Sequence, residues 1–256
     1  MHTTLATYSH SHHSPNHLVA LVTFQVVETF EFDEWQFVMI EAQKWNQKIK
    51  KPYSIASTQL QMQESKQISF VVKKTSEDGM SDYLTQVIQA WDQVTLKWPV
   101  GHYTDSHRHK NYLLVSTGSG LSPNVGLFQW LVYEHWSYNH IVNIFWEKTH
   151  ADIVPEIEAL FTQHGRSNIT NFFHLSRETD LTQINNRHSE WNEESRESES
   201  VRYLPWRIQS SLPAAIDILG TQTSCFLCGK PEMVDDARKI LEELWIESED
   251  ITFEKY

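Results

Sequence analysis

The stretch of this chain best suited to chemistry is Thr117-Gly118-Ser119-Gly120. It follows the apolar run Tyr112–Val115 and leads through Pro123 into the amphipathic run Val125–Val132. That order reads as buried strand, tight glycine turn and helix. Two near-adjacent glycines let the backbone pass close to a phosphate, and a helix start offers unpaired N–H groups and the positive end of its dipole. The same pattern also suits a strand-to-helix turn that binds nothing.

Two further groups of residues invite a chemical reading. Cys225 and Cys228 are the only cysteines, spaced as C-x-x-C in TSCFLCGKP. Such a pair suggests a redox couple or half a zinc site. Their surroundings read as a strand, where residues three apart lie ~10 Å from each other on opposite faces. A disulfide needs Cα atoms within ~7 Å, and no second pair completes a zinc site, so neither a disulfide nor a metal is expected. Between positions 44 and 74, Lys44, Lys48, Lys50, Lys51, Lys66, Lys73 and Lys74 face Glu64 alone, a local excess of +6 in a chain of net charge −12. The stretch reads either as a solvated strand surface or as a dock for an acidic partner. The overall charge argues against nucleic acid.

The elements that must position these residues fall into two sets. Residues 17–28, 37–42, 53–56, 67–74 and 93–98 read as strands, and Met80–Trp91 as a helix with apolar Met80, Tyr83, Leu84, Val87 and Ile88. This predicts a small antiparallel β-barrel over residues 17–108. From residue 109 to the end, strands at 112–116, 140–146, 169–175, 223–228 and 250–256 alternate with helices at 124–135, 152–164, 208–219 and 231–245. That alternation predicts a doubly wound parallel sheet. The charged, Ser-rich run Glu190–Ser200 lies within a polar segment, 177–203, read as a surface loop. Residues 1–16, with His2, His10, His12 and His13, are expected to be a disordered tail. No apolar stretch approaches the ~20 residues of a membrane helix, and the N-terminus lacks the regions of a signal peptide. A cytoplasmic location is expected.

In order along the chain, these motifs resemble the ferredoxin–NADP reductase family from about residue 18 to the end. Lys51-Pro52-Tyr53-Ser54-Ile55-Ala56-Ser57 is similar to the family's flavin motif, and Gly79-Met80-Ser81 with Leu84 to its second flavin segment. Thr117–Pro123 resembles the nicotinamide-dinucleotide turn, and Ser176-Arg177-Glu178 the pair that grips a 2′-phosphate. Cys228-Gly229 with Pro231 and Met233 looks like the segment beside the nicotinamide, and Phe253-Glu254-Lys255-Tyr256 like the terminal glutamate and aromatic.

The resemblance implies an N-terminal flavin-binding β-barrel followed by an α/β nucleotide-binding domain, with FAD and NADP(H) as cofactors. It implies an enzyme that moves hydride between NADP(H) and flavin and single electrons to or from ferredoxin or flavodoxin, docked near the Lys44–Lys74 stretch. A reductase of free flavin or small molecules, or an electron-transfer subunit of a larger complex, is the alternative. Ser54 would hydrogen-bond the flavin N5, Cys228 would meet the nicotinamide, Glu254 would anchor its carboxamide or relay protons, and Tyr256 would stack on the flavin. Lys51, Tyr53, Ser54, Gly79, Met80 and Ser81 would hold FAD. Thr117, Gly118, Gly120, Ser176 and Arg177 would hold the dinucleotide, with Arg207 a second cation and Lys148 a third.

Two departures from the family stand out. Lys51 occupies the usual arginine position, and a lysine cannot make the flat bidentate grip on a phosphate. The chain also has ten tryptophans against eight glycines. Trp35, Trp45, Trp91, Trp98, Trp146, Trp206 and Trp245, with Trp136, fall where the family pattern has glycine. Glycine sits in such turns because positive φ or close packing demands it. Either UGA codons read as glycine in the source are rendered here as tryptophan, which is the expectation, or the chain is a divergent, tryptophan-rich relative.

Overall fold

The computed structural model describes residues 2–44, 47–100, 108–135, 137–178, 181, 201–204 and 208–256. By contact the chain divides into two units, Met1–Thr104 with Ser122–Trp136, and Asp105–Leu121 with Ser137–Tyr256.

The first unit is built on a six-stranded antiparallel sheet of order β4-β3-β6-β1-β2-β5. Its strands are β1 (His2–His13), β2 (Val19–Val26), β3 (Phe37–Lys44), β4 (Gln47–Ser54), β5 (Gln67–Lys73) and β6 (Gln93–Val100). Helix α1 (Gln59–Ser65) precedes β5; α2 (Met80–Asp82), continued by a π-turn over Tyr83–Val87, precedes β6. Val22, Phe24, Ile40, Phe70, Val72 and Leu96 fill the interior, all at 0% exposure. The sheet curls so that the segment after β4 meets β5: the Ala56 N–H donates to the Ser69 carbonyl at 2.8 Å, and the Ser69 N–H to Ser57 Oγ at 3.1 Å. This is the antiparallel half-barrel that the strand pattern implied.

Four boundaries differ from expectation. Residues 2–13, read as a disordered tail, form β1 inside the sheet, paired to β2 on one side and β6 on the other. Thr4 and Ala6 are buried on one face and Tyr8 packs on the core beyond them, the half-buried pattern that threonine and aromatic residues suit. Strand β4 begins at Gln47, ahead of the expected 53–56 segment, because its alternate lysines are exposed rather than loop-forming. The helix expected to Trp91 ends at Val87. Helix α1 arises from a capping box: Gln61 N–H donates to Thr58 Oγ1 at 3.2 Å and Thr58 N–H to Gln61 Oε1 at 3.0 Å.

Helix α3 (Leu121–Gln129), with its π-turn Trp130–His135, follows the glycine turn in sequence yet packs with the first unit from Ser122 onward. The Ser122 hydroxyl donates to the Ser54 carbonyl at 2.6 Å and accepts from the Val71 N–H at 3.0 Å. Gln129 donates to the Ala56 carbonyl at 2.8 Å. The sequence reading carried 124–135 with the second domain, whereas by contact Ser122–Trp136 group with the first unit.

The second unit is a six-stranded parallel sheet of order β10-β9-β8-β7-β11-β12. Its strands are β7 (Asn111–Thr117), β8 (His140–Glu147), β9 (Ile169–Leu175), β10 (Val201–Leu204), β11 (Thr223–Gly229) and β12 (Ile251–Lys255). Helices α4 (Pro155–Thr162), α5 (Leu212–Leu219) and α6 (Pro231–Glu243) connect them. Strand β10, from the polar segment expected as loop, pairs parallel to β9. The doubly wound arrangement is as expected, and the strand order reverses between β7 and β11. Among the described residues no helix is long and apolar enough to cross a membrane.

The lysines of the first unit are not a bare basic patch. Buried Glu41 takes Lys48 at 2.6 Å, Lys97 at 2.5 Å and Lys50 at 3.5 Å. Asp82 takes Lys44 at 3.2 Å and Lys74 at 3.0 Å, and Lys44 also reaches Asp78 at 3.3 Å. Hydrogen bonds from Lys48 and then Lys97 hold the Glu41 carboxyl down to about 2. Because its folded value lies below the ordinary 4.5, Glu41 adds stability above that pH and loses it as pH falls toward about 2. Glu41→Gln should lower the thermal midpoint at neutral pH and flatten the loss of stability over that acid window, read by melting curves across pH; a variant with the wild-type acid profile would contradict this.

Candidate functional site

Sequence-predicted residues of the first unit gather on β4 and at the start of α2. On β4, Lys51 is exposed, Tyr53 half-buried and Ser54 buried, so one strand end offers a cation, a flat ring and a hydroxyl. Tyr53 meets Phe70 edge-on at 6.4 Å between centroids, and burial pushes its phenol up, so it stays neutral. Gly79 begins α2 with extended backbone, and Met80 and Ser81 follow, buried. The Ser81 hydroxyl accepts from the Thr75 N–H at 3.2 Å. Asp82, held low first by Lys74 and then by Lys44, clamps this turn to the sheet. That clamp escaped the sequence reading, because Lys44 lies 38 residues from Asp82 and Asp82 stands outside the lysine-rich stretch. The donors suit a flavin nucleotide: a cation for phosphate, a ring for stacking, a hydroxyl and a helix start for hydrogen bonding.

In the second unit the glycine turn and the strand end of β11 meet backbone to backbone. A Cβ on Gly120 would lie 2.3 Å from the Cys228 carbonyl oxygen, and one on Gly229 (φ +149) would lie 2.1 Å from Thr117 Oγ1. Thr117 Oγ1 accepts from the Lys230 N–H at 3.3 Å. Cys228 is fully buried between Ser116 of β7 and Glu254 of β12. Its thiol is pushed well up by burial, then by Glu254, so it is neutral rather than a thiolate. Cys225 is likewise free and buried. The chain end is tied down: the Tyr256 N–H donates to the Gly229 carbonyl at 3.0 Å and its phenol to Glu254 at 2.8 Å.

Beside this contact lies a cavity of about 230 Å³ lined by Thr117, Trp146, Ile208, Lys230, Met233 and Asp236 among others. It sits at the carboxyl ends of β7, β8 and β11, the switch point where open α/β sheets take ligands. The Lys230 ammonium stands over the Trp146 ring at 5.6 Å. Lys230 was not anticipated; its position after Cys228-Gly229, at the mouth of a strand, was the available signal. The carboxyl-end cavity, its cation and the glycine close approach suit a dinucleotide phosphate.

At the neighbouring strand ends, Lys148 follows β8 and Ser176-Arg177 follow β9, all exposed. Two backbone bonds hold them side by side, from Ser176 N–H to the Glu147 carbonyl at 3.1 Å and from Arg177 N–H to the Lys148 carbonyl at 2.8 Å. Glu178 turns its carboxylate to the His150 N–H at 2.7 Å. Arg207 lies outside the described residues.

Comparison with known proteins places the fold. Residues 10–104 match the family model of the oxidoreductase FAD-binding domain, a match that spans β2 to β6 of the first unit's sheet. Over its whole length it has the fold of ferredoxin–NADP+ reductases, as the motifs implied. A ferredoxin–NADP+ reductase from Neisseria gonorrhoeae, solved with FAD and NADP, is 16% identical with TM-score 0.74, covering 99% of this chain and 98% of that one. The Plasmodium falciparum ferredoxin–NADP+ reductase, solved with 2′P-AMP, is 14% identical with TM-score 0.70, covering 98% and 95%. The cytochrome b5 reductase domain of Ulva prolifera nitrate reductase is 17% identical with TM-score 0.69, covering 99% and 97%. None of the curated proteins matches the chain by sequence. At these identities the structures establish the fold alone.

The backbone contact at Gly120 makes a sharp prediction. Gly120→Ala forces the turn and β11 apart and, because the clash is with backbone, should cost about 3 kcal/mol or more, the upper end of overpacking. Gly165→Ala meets open space and pays only for its φ of +66, about 1–2 kcal/mol. Thermal melts of the two variants check this: an equal or smaller loss at Gly120 would contradict the close approach.

Proposed function

We propose that this chain is an FAD-dependent oxidoreductase that moves hydride between NADP(H) and flavin and passes single electrons to or from a ferredoxin- or flavodoxin-like carrier. The observation that carries the reading is the pairing of an oxidoreductase FAD-binding domain at residues 10–104 with a doubly wound unit bearing a carboxyl-end cavity at its switch point. Bound flavin supplies the chemistry that exchanges a two-electron hydride for single electrons. Lys51, Tyr53, Ser54 and the Gly79–Ser81 turn bind and orient it. Thr117, Gly118 and Gly120 let the dinucleotide backbone approach, and Lys230 faces its charge. Cys228, Glu254 and Tyr256, gathered on β11 and at the chain end, serve the nicotinamide end. A neutral Cys228 thiol packs against its ligand there and does not attack it.

The coenzyme in this reading is NADPH. Lys148, Ser176 and Arg177 stand together where an adenosine ribose rests in doubly wound units, and a 2′-phosphate wants charge-assisted hydrogen bonds. An NAD site usually sets a carboxylate against the ribose hydroxyls, whereas Glu178 is engaged with the His150 N–H.

A second reading has an observation of its own. Four of the seven lysines of the 44–74 stretch are held by Glu41, Asp78 and Asp82, which weakens the case for docking an acidic protein there. A reductase of flavin or small molecules, or the electron-transfer subunit of a larger complex, needs no such surface.

Steady-state assays with NADPH and NADH test the assignment. Losing one charged hydrogen bond costs about 1.5–3 kcal/mol, roughly ten- to a hundredfold in affinity. Arg177→Ala should raise the KM for NADPH by that factor and leave NADH nearly unchanged. Equal effects on both coenzymes, or a wild type that prefers NADH, would refute it. Turnover that rises strongly on adding ferredoxin separates the first reading from the second.

A further inference from the structure

Three of the tryptophans sit in backbone conformations made for glycine. Trp35 has φ of 81°, Trp91 of 78° and Trp245 of 67°. Only a few per cent of non-glycine residues have positive φ, and for a bulky side chain it is a genuine outlier. Six of the ten tryptophans lie among the described residues, and half of those six are outliers of this kind.

Each of the three occupies a defined glycine position. The Gln36 N–H donates to the Asp33 carbonyl at 3.1 Å, closing a four-residue turn whose third residue is Trp35. The Asp92 N–H donates to the Gln89 carbonyl at 3.0 Å, closing another whose third residue is Trp91. Positive φ at the third residue but not the second defines a type II turn, which calls for glycine there. At the end of α6, the Trp245 N–H donates to the Glu242 carbonyl at 3.2 Å and the Ile246 N–H to the Leu241 carbonyl at 3.0 Å. That is a Schellman motif, complete with buried Leu241 and Ile246, and Trp245 fills its left-handed position, the usual place of glycine.

Nothing in the surroundings offsets the strain at two of them. Trp91 is 86% exposed and Trp245 83%, the most exposed of the large hydrophobic residues among the described residues. Composition points the same way: glycine, at 8 of 256 residues, is under half its usual share of about 7%. We infer that the protein its source makes carries glycine at positions 35, 91 and 245, the UGA codons there being read as glycine and rendered here as tryptophan. Trp98 and Trp146 are not among the residues of positive φ, and Trp45, Trp136 and Trp206 lie outside the described residues, so the inference rests on the three turns.

The test is to purify the protein from its source and sequence its peptides by mass spectrometry. Glycine at all three positions is expected; tryptophan at any one overturns the inference. A second measurement uses recombinant protein of the printed sequence. Trp91→Gly and Trp245→Gly should each raise the thermal midpoint by about 2–4 °C, since relief of left-handed strain outweighs the entropy that glycine adds to the unfolded chain. Trp130→Gly, in a helical turn stacked on His135 at 4.3 Å, should lower it. A fall at Trp91 or Trp245 would also overturn the inference.

Discussion

The second unit depends on one contact: the Gly118–Gly120 turn lies against the exit of β11 so closely that Gly120 has no room for a Cβ beside the Cys228 carbonyl. Gly229 meets the Thr117 side chain under the same constraint. Gly120 brings the turn after β7 into backbone contact with the end of β11, and Gly229 leaves room there for the Thr117 side chain. Thr117 and Lys230 are thereby fixed at one cavity, and the Tyr256 N–H is drawn to the Gly229 carbonyl. A side chain at Gly120 would press on the β11 backbone, whereas one at Gly229 would displace the Thr117 hydroxyl and strain a φ of +149°.

In the first unit the corresponding constraint is electrostatic. Two carboxylates, Glu41 in β3 and Asp82 in α2, gather five lysines from three strands and the loop after β5. Half-buried charges of this kind are costly unless paired, so the lysines are held as structure before they can serve as surface. The Asp82 pairs also fix the turn that begins at Gly79, a device that ties the assigned flavin segment to the sheet.

Much of this was legible in the residues. Tyr112–Val115 followed by Gly118-Ser119-Gly120 announced a strand and a glycine turn, because continuous burial and close approach leave a plain trace in residue type. The alternation after residue 109 announced the parallel sheet for the same reason. Strand β1 was hidden by its histidines, which drew attention from the alternation of Thr4, Ala6 and Tyr8. Helix α1 was marked by Thr58 and Gln61, a capping box that carried no apolar run behind it. The neutralisation of the lysines was invisible, since Glu41, Asp78 and Asp82 all lie outside the 44–74 window. The side to which α3 belongs was also out of reach: its partners, Ser54, Ala56 and Val71, are fifty or more residues away in sequence.

The most direct test of the functional account is the visible spectrum of the protein, purified or reconstituted with FAD, before and after NADPH is added without oxygen. A bound flavin spectrum that bleaches on adding about one NADPH per flavin is the result predicted. A protein that cannot retain FAD, or a bound flavin that NADPH leaves oxidised, would contradict it.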